Sequence, residues 1–520
     1  MIRQGKAAGW LQLPPEALLP WAELNDVNFE RVIPGIAVGK GGALLAKERT
    51  SSPEGEGLLP LMTVSRDLIL SLERVQEHAK VDRDLREVLE SLGEFGTVSG
   101  FEQPPYLTSA TTVVSLLGPT ISLVLMRSVD ISRHHPHFSS ITSFSVVPGP
   151  TESHMCSQPL LRVSPLPHIP CASAAQKACI WYADRRSYVK SLPCELLPTF
   201  WTVPEQELLL GTTLAPAVSA KLKSLLREYD LLCEKAQHTR WYSIAKDTLD
   251  FDDWLQVDAM YRSRALDFPN IGHCMVPCID LANHAAGENT DAIYEKGEDG
   301  NAVLLLRRGK QLEKDDEVTI TYGDEKGACE MLFSYGFLEA DRQSAEMLFL
   351  SLTIPQDDQY RAIKAKLADC APGFKITDTG DGEVDWSGDF VWLLCVTADD
   401  GLRFEIARTV DGEEEAHAFF EDHELTGGAA QLHGLLVGCD LWDLYRLRAI
   451  ALLQQRVFDQ MQVLYSTQDD MEAVPHGDGT EVRLRCYQQA MQLRRLEFEL
   501  LEKAYGSFEK QVGDACVALL

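Results

Sequence analysis

Basic residues are scarce in this 520-residue chain, which has 48 Lys and Arg against 78 Asp and Glu and a formal charge of −30. Duplex nucleic acid is bound through clustered Lys and Arg that contact its phosphates, so this balance argues against a duplex-binding surface. The balance is compatible with a basic protein as partner. An acidic surface that simply keeps the protein soluble is the commoner reason for it.

Long apolar runs and targeting signals are also missing. The longest apolar window, residues 112–126, is interrupted by Gly118-Pro119 and is shorter than the roughly 20 residues that a spanning helix needs. Near the N-terminus, Arg3 and Lys6 are followed by prolines rather than by a secretory apolar core. The sequence therefore predicts neither a membrane protein nor a secreted one.

The 13 cysteines include no Cys-x-x-Cys pair. Irregular spacing predicts reduced thiols and a cytoplasmic or nuclear location, or both. The histidines in His134-His135-Pro136-His137 have no second ligand pair at a metal-binding spacing, so no metal site is expected.

The length allows two or three domains, and several stretches have a clear period. Residues 36–46 predict two short apolar strands around a Gly-rich turn. Residues 61–93, with a start near 64–67, and residues 205–235 predict helices. Two apolar stripes at helical spacing predict long C-terminal helices. The stripes contain Leu444, Leu447, Ile450, Leu453, Val457, Met461 and Leu464, and then Cys486, Ala490, Leu493, Leu496 and Leu500.

The Gly-rich turn has two interpretations. Glycines at 39 and 41 let backbone amides approach a ligand closely, or they simply close a hairpin. The dinucleotide-binding fingerprint is not met, because Leu44 stands where its third glycine would be.

Polar residues gather in an otherwise apolar stretch at residues 275–337. Asp280, Asn283 and His284 lie in an apolar run, and residues 319–322 predict a strand that ends in a turn with Tyr322 at its tip. Buried polar groups must be hydrogen-bonded, so these residues either satisfy one another or bind a ligand. We expect both ends of the stretch to form one site.

An Asn-His after a strand, a Tyr-Gly some forty residues later and then a Tyr-Gly-Phe resemble the SET-domain methyltransferases, in the non-histone branch of the Rubisco large-subunit lysine methyltransferase. The resemblance extends more weakly over residues 21–464. It implies an α+β protein: a β-rich SET fold with a pseudoknot and a helical insertion, followed by a mostly α-helical C-terminal lobe that binds the protein substrate. The pseudoknot would join the segments of Asn283 and Tyr335.

The implied domains are the N-terminal part of the SET domain at 21–95, an insertion at 96–255, the C-terminal part of the SET core at 256–340 and the helical lobe at 341–520. Residues 123–178 depart from the family because they are rich in Ser, Pro and His and have no period. We interpret them as a disordered insertion or as a gene-model error such as a translated intron.

The resemblance also implies S-adenosylmethionine as the cofactor and Tyr322 as the catalytic residue. Asp280 would contact the substrate amine or orient its neighbours, with a cap or turn role as the alternative. His284 is not expected to act as a general base. The residues that would bind the cofactor are Gly39, Gly41, Ser263, Arg264, Asn283, His284, Tyr335 and Phe337. For Arg264 the other interpretation is a surface residue paired with Asp258 or Asp267.

Methyl transfer from a sulfonium needs an aligned and uncharged nucleophile. A lysine with a pKa near ~10.4 is protonated at neutral pH, and a desolvating channel lowers that pKa. The hydroxyl of Tyr322 would orient the amine. The expected function is methylation of a lysine in a non-histone, basic protein such as a ribosomal protein, by a monomer that binds neither nucleic acid nor membrane. The alternatives are a protein-histidine methyltransferase and a catalytically inactive SET-like binding module.

Overall fold

The computed structural model describes residues 17–52, 58–91, 188–193, 196–240, 242, 250–358, 360–368, 370–408 and 414–518. The predictions for residues 112–126, for the histidines at 134–137 and for the atypical segment 123–178 lie outside the described residues. The predicted domain boundaries and the pseudoknot stay predictions.

The first half of the described chain is built from small β-sheets around one apolar core. Leu61, Met62, Leu304 and Leu306 in the central strands of the largest sheet are fully buried in this core. That sheet is antiparallel, in the order Asn28–Phe29, Leu59–Val64, Ala302–Leu306 and Ala292–Lys296. The remaining sheets are the hairpin Val32–Ala37 with Gly41–Ala46, the pair Thr50–Ser51 with Gln311–Leu312, the three strands Leu70–Ser71, Gly272–Met275 and Leu266–Phe268, and the parallel pair Asn283–His284 with Thr319–Ile320.

The predicted helix over 61–93 is wrong at its start. The chain is a strand at Leu59–Val64, and its helices are Leu72–Ala79 and Arg83–Ser91. The strand sequence Leu-Pro-Leu-Met-Thr-Val has no apolar and polar alternation, so the period of a strand did not reveal it. Ser71 caps the first helix, where its Oγ accepts a hydrogen bond from the backbone N–H of Arg74 at 3.3 Å.

The helical prediction for 205–235 is confirmed by the helices Val203–Glu207 and Leu214–Ala236. The helix Phe251–Arg264 follows, and Asp250 and Asp253 form a capping box at its N-terminus. A short helix, Leu18–Leu24, precedes all the strands.

The second half has a separate apolar core and is mostly helical, as predicted. Both predicted apolar stripes lie on long helices, Trp442–Glu472 and Leu484–Ala518. The shorter helices are Ala328–Tyr335, Arg361–Leu367, Phe390–Cys395 and Gly428–Val437. Two three-stranded antiparallel sheets were not predicted: Met347–Ser351, Gly373–Asp378 and Val384–Ser387, and then Leu402–Arg408, Glu414–Phe420 and His423–Glu424. Within the described ranges, no helix combines the length and the apolar character needed to cross a membrane.

An ion pair joins Glu205, in the helix Val203–Glu207, to Arg483, the residue before the last helix. The Glu205 side chain has no exposed surface, and its carboxylate accepts hydrogen bonds from the backbone N–H of Arg483 at 2.8 Å and from Arg483 Nε at 2.7 Å. It also accepts from the backbone N–H of Thr202 at 2.8 Å. Burial opposes ionisation, but the bonds from Arg483 and Thr202 lower the pKa of Glu205 to about 2.

We expect Glu205→Gln to destabilise the protein by about 3 kcal/mol at pH 7, because the change removes the charge of a fully buried carboxylate that accepts hydrogen bonds from Arg483 and Thr202. A carboxylate whose folded-state pKa is depressed stabilises at neutral pH and loses that contribution as the pH falls from about 4.5 towards 2. The difference between variant and wild type should therefore shrink over that window in urea unfolding monitored by circular dichroism. The control Glu499→Gln removes an exposed pair with Arg495 and should cost below about 1 kcal/mol. Equal urea unfolding midpoints for Glu205→Gln and Glu499→Gln would contradict the stabilising role of the Glu205 carboxylate.

Candidate active site

The Gly-rich turn is a hairpin turn with an open side. Gly39 and Gly41 have φ angles of 79° and 91°, which side chains adopt only with strain. A Cβ atom at either position would meet no atom within 4 Å. Both glycines are therefore required by backbone conformation, and the space beside them is open to a ligand.

Asn283 connects this hairpin to the strand Thr319–Ile320. Its own strand pairs in parallel with that strand, so Asn283 lies opposite Thr319. The Asn283 side-chain amide donates to the carbonyl of Gly42 at 3.3 Å and to Glu317 Oε1 at 2.7 Å. The other oxygen of Glu317 is 2.8 Å from the ammonium of Lys40, which stands between the two glycines of the turn.

The result is a continuous polar chain from Lys40 through Glu317 to Asn283. Glu317 was not among the predicted site residues. It stands in an acidic stretch, Asp315-Asp316-Glu317, that resembles any solvated loop. Its short β-bridge to Leu45 is what turns its side chain towards the hairpin, and this pairing depends on register.

His284 uses both ring nitrogens to connect distant segments. Its Nδ1 accepts the backbone N–H of Tyr322 at 3.0 Å, so Nε2 carries the proton and donates to Glu339 Oε1 at 3.0 Å. A ring engaged on both sides has no nitrogen left to take a proton from a substrate, which agrees with the expectation that His284 is not a general base.

Glu339 is a second site residue that the sequence analysis missed. Burial opposes its ionisation, but the hydrogen bond from His284 and the charge of Arg342 hold the pKa of Glu339 below its usual value. Arg342 Nη1 lies 3.0 Å from its second carboxylate oxygen. The carboxylate is therefore a charged and fixed acceptor for His284.

Tyr322 is packed among aromatic rings with its hydroxyl anchored. The hydroxyl donates to the carbonyl of Ala282 at 3.0 Å, and the ring centroid lies 4.6 Å from that of Tyr335 and 5.2 Å from that of His284. Phe337 follows on the other side of His284, at 6.2 Å. Four predicted site residues thus form one half-buried aromatic cluster. A phenol that donates a hydrogen bond still has lone pairs on its oxygen, and these can accept a hydrogen bond from an amine.

Tyr335 contacts Tyr322 through both its ring and its hydroxyl. Its hydroxyl donates to the carbonyl of Tyr322 at 3.3 Å, and burial raises the pKa of Tyr335 above its ordinary value. Tyr335 is therefore neutral at physiological pH and acts as a hydrogen-bond donor.

Arg264 is an interior residue. Its Nη1 donates to the carbonyl of Asp280 at 2.9 Å, and its side chain is 12% exposed. The alternative of a surface pair with Asp258 is not what the structure contains, because Asp258 is held by Arg262 and Lys221.

Ser263 directs its hydroxyl at its own helix. Its Oγ donates to the carbonyl of Ala259 at 2.8 Å. The hydroxyl is thus engaged as a donor in a local bond, and its oxygen lone pairs can still accept a hydrogen bond.

Asp280 is the predicted site residue whose position differs most from expectation. Its side chain is fully buried, accepts a hydrogen bond from the Tyr188 hydroxyl at 2.6 Å and lies 3.7 Å from Arg264. Burial raises the pKa of both Asp280 and Tyr188. A carboxylate with no exposed surface cannot meet an incoming amine in this conformation, so its contacts fit the alternative role of orienting Arg264.

Among the residues that the structure describes, no three His, Cys, Asp or Glu side chains converge as a metal site. Eight of the described cysteines are free thiols.

No family model matches the chain. It is 31% identical over 266 residues to SET domain-containing protein 8 of Schizosaccharomyces pombe, a match that covers 50% of this chain and 58% of that protein. It is 25% identical over 177 residues to the chloroplastic Rubisco large subunit N-methyltransferase of Nicotiana tabacum, covering 33% of this chain and 36% of that one. The aligned region thus spans less than two thirds of either relative.

The fold is similar to solved structures over nearly the whole chain. The SET domain of LSMT bound to lysine and AdoHcy matches with a TM-score of 0.60 at 15% identity, covering 96% of this chain and 92% of that one. Rubisco LSMT bound to AdoMet matches with a TM-score of 0.58 at 15% identity, covering 97% and 93%. The chain is thus similar in sequence to a SET domain-containing protein and to a Rubisco large subunit N-methyltransferase, and it has the fold of the LSMT structures.

Proposed function

We propose that this protein is an S-adenosylmethionine-dependent protein-lysine N-methyltransferase that acts on a non-histone protein, with a basic protein such as a ribosomal protein as the favoured substrate. The observation that carries the proposal is the convergence of the Gly39 to Gly41 turn, Asn283 and the Tyr322 hydroxyl on one side of the first core. The LSMT structures bound to AdoMet, and to lysine with AdoHcy, support the proposal by their shared fold.

The residues present fit the amino-acid end of the cofactor. The open side of the turn allows its backbone N–H groups to approach a carboxylate. Glu317 and Gly42 accept from the amide nitrogen of Asn283, which orients the amide oxygen as an acceptor for an ammonium group. Arg264, held by Asp280, adds a guanidinium to the same end.

The adenine end would be held by apolar contact and by backbone. Phe337 presents an aromatic face beside His284, whose own side chain is engaged by Glu339 and Tyr322. The backbone of His284 is therefore the part of this residue that would contact the adenine edge. When bound, the cofactor supplies an activated methyl group on a sulfonium.

The substrate amine would be positioned by Tyr322. The hydroxyl, anchored on Ala282, accepts a hydrogen bond from the neutral amine and holds its lone pair towards the methyl group. The rings of Tyr322 and Tyr335 exclude water, which lowers the pKa of the lysine and favours its neutral form. The free thiols of the described residues support the proposal of a reducing, cytoplasmic or nuclear location.

Asn283→Ala should weaken S-adenosylmethionine binding by about tenfold or more in calorimetry, because it removes the amide and leaves Glu317 Oε1 without its hydrogen-bond donor. The matched control is Asn301→Ala, which changes an asparagine in a turn that contacts Asp299. It should bind as wild type. Equal affinity of the two variants would contradict the assignment, and no binding by folded wild-type protein would favour the non-catalytic module.

Tyr322→Phe should lower kcat by about 100-fold with little change in cofactor affinity, because it removes the hydroxyl that aligns the amine. Labelled methyl transfer into extract proteins measures the rate, and Tyr465→Phe, at a residue 73% exposed on a distant helix, is the control. A wild-type rate in Tyr322→Phe would remove the catalytic assignment. Mass spectrometry of the product separates methyl-lysine from methyl-histidine.

Glu317→Ala should also weaken cofactor binding, by about three- to tenfold, since the Gly-rich turn and Asn283 lose the carboxylate that joins them. Glu313→Ala removes a neighbouring carboxylate whose pair with Arg49 is exposed, and its affinity should be unchanged. If both variants bind as wild type, Glu317 has no part in the site.

A further inference from the structure

A cavity lies in the C-terminal half, among residues of the second core. Its volume is about 530 Å³. It opens between the sheet that contains Gly373–Asp378 and Val384–Ser387 and the helices Phe390–Cys395 and Gly428–Val437, with the start of Trp442–Glu472 at its rim. None of the residues used in the proposed methyl transfer lines it.

Aromatic rings form one wall of this cavity. Trp392 is buried and stacks on His433 with ring centroids 4.6 Å apart and planes at 19°. Trp442 lies 5.1 Å and Trp386 5.8 Å from the ring of Trp392. The outer two tryptophans are half-buried, so they present ring surface to the cavity.

Two cationic side chains, Lys375 and Arg446, also line the cavity. Lys375 lies directly across the sheet from Phe349 and Ser387, which places all three on one face. Arg446 is exposed at the rim. Neither Lys375 nor Arg446 forms an ion pair with any residue in the described ranges.

The only carboxylate in the described lining is already engaged. Asp389 accepts a hydrogen bond from His433 Nδ1 at 2.9 Å. The cavity therefore has two cations without counter-charges, in a protein whose formal charge is −30. A cationic ligand such as a methylated ammonium would meet the tryptophans but would be repelled by Lys375 and Arg446.

We propose that this cavity binds an acidic segment of the protein substrate, one in which an aromatic side chain lies beside carboxylates. The aromatic ring packs against Trp386 and Trp442, and the carboxylates pair with Lys375 and Arg446. Ser387 and Arg446 are exposed at the edge, so an extended chain can enter and leave. The identity of the partner as the methylated protein rests on the proposed function.

The segment and the target lysine would then be held at different places. The cavity belongs to the second core, whereas Asn283 and Tyr322 lie with the first. Binding at the cavity would raise the local concentration of the target lysine without contact to the reacting atoms. Its loss should therefore raise the KM for the protein substrate and leave kcat unchanged.

The test uses the full chain with ¹⁵N-labelled tryptophan and an acetylated peptide in which two glutamates flank a phenylalanine. We expect the indole signals of Trp386 and Trp442 to shift and saturate at millimolar peptide, while that of Trp254 in the first core stays in place. A peptide with glutamine in place of glutamate should bind about tenfold more weakly, because two exposed ion pairs are lost.

The double variant Lys375→Gln with Arg446→Gln should bind the acidic peptide about tenfold more weakly than wild type. The matched control, Lys366→Gln with Arg485→Gln, removes two exposed cations that do not line the cavity and should bind as wild type. Equal binding of acidic and neutral peptides, unchanged binding by the first double variant, or no indole shift at about 10 mM peptide would each overturn the proposal.

Cofactor binding and methyl transfer on the same samples separate the two proposals. If the cavity proposal fails, wild type still binds S-adenosylmethionine and transfers methyl groups. If the proposed function fails, those activities are absent while the peptide still reports on the cavity. If the enzyme is active, the double variant Lys375→Gln with Arg446→Gln should have a raised KM for the protein substrate and an unchanged kcat. A fall in kcat alone would contradict the cavity proposal.

Discussion

The site depends on the pairing of two very short strands, Asn283–His284 and Thr319–Ile320, in parallel. Parallel strands need a long connection, and here it contains the strands Ala292–Lys296 and Ala302–Leu306 of the main sheet. His284 then fixes the register beyond the pair, since it accepts from the backbone of Tyr322 and donates to Glu339. A slip of one residue would turn Asn283 away from the Gly-rich hairpin and remove His284 from Tyr322. The polar contacts and the aromatic cluster are therefore consequences of one strand register.

Buried charge around the site is arranged to hold groups in place. Asp280 is buried with a raised pKa between Tyr188 and Arg264, whereas Glu339 keeps its charge with a lowered pKa between His284 and Arg342. The first carboxylate orients a guanidinium and the second fixes an imidazole. Such positioning suits a reaction in which the protein aligns donor and acceptor and excludes water rather than moving a proton through a strong base.

The residues that the family resemblance singled out lie in short motifs that can be read from the sequence. Of these, His284, Tyr322, Tyr335 and Phe337 lie together in the structure, and their roles stay predictions. Glu317 and Glu339 were missed because an acidic side chain in an acidic chain has no distinctive signal, and their partners are set by long-range pairing. The burial of Asp280 depends on Tyr188, which lies 92 residues earlier. The strands Leu59–Val64 and Met347–Ser351 are apolar on both faces, so no alternation marked them.

The central claim is that the hairpin, Asn283 and Tyr322 line a single cofactor and amine site. A crystal structure of the protein with S-adenosylhomocysteine tests it most directly. We expect the amino-acid end of the ligand to lie between the Gly39 to Gly41 turn and Asn283, with its sulfur facing the Tyr322 hydroxyl. A ligand bound elsewhere, or with its sulfur away from Tyr322, would contradict it.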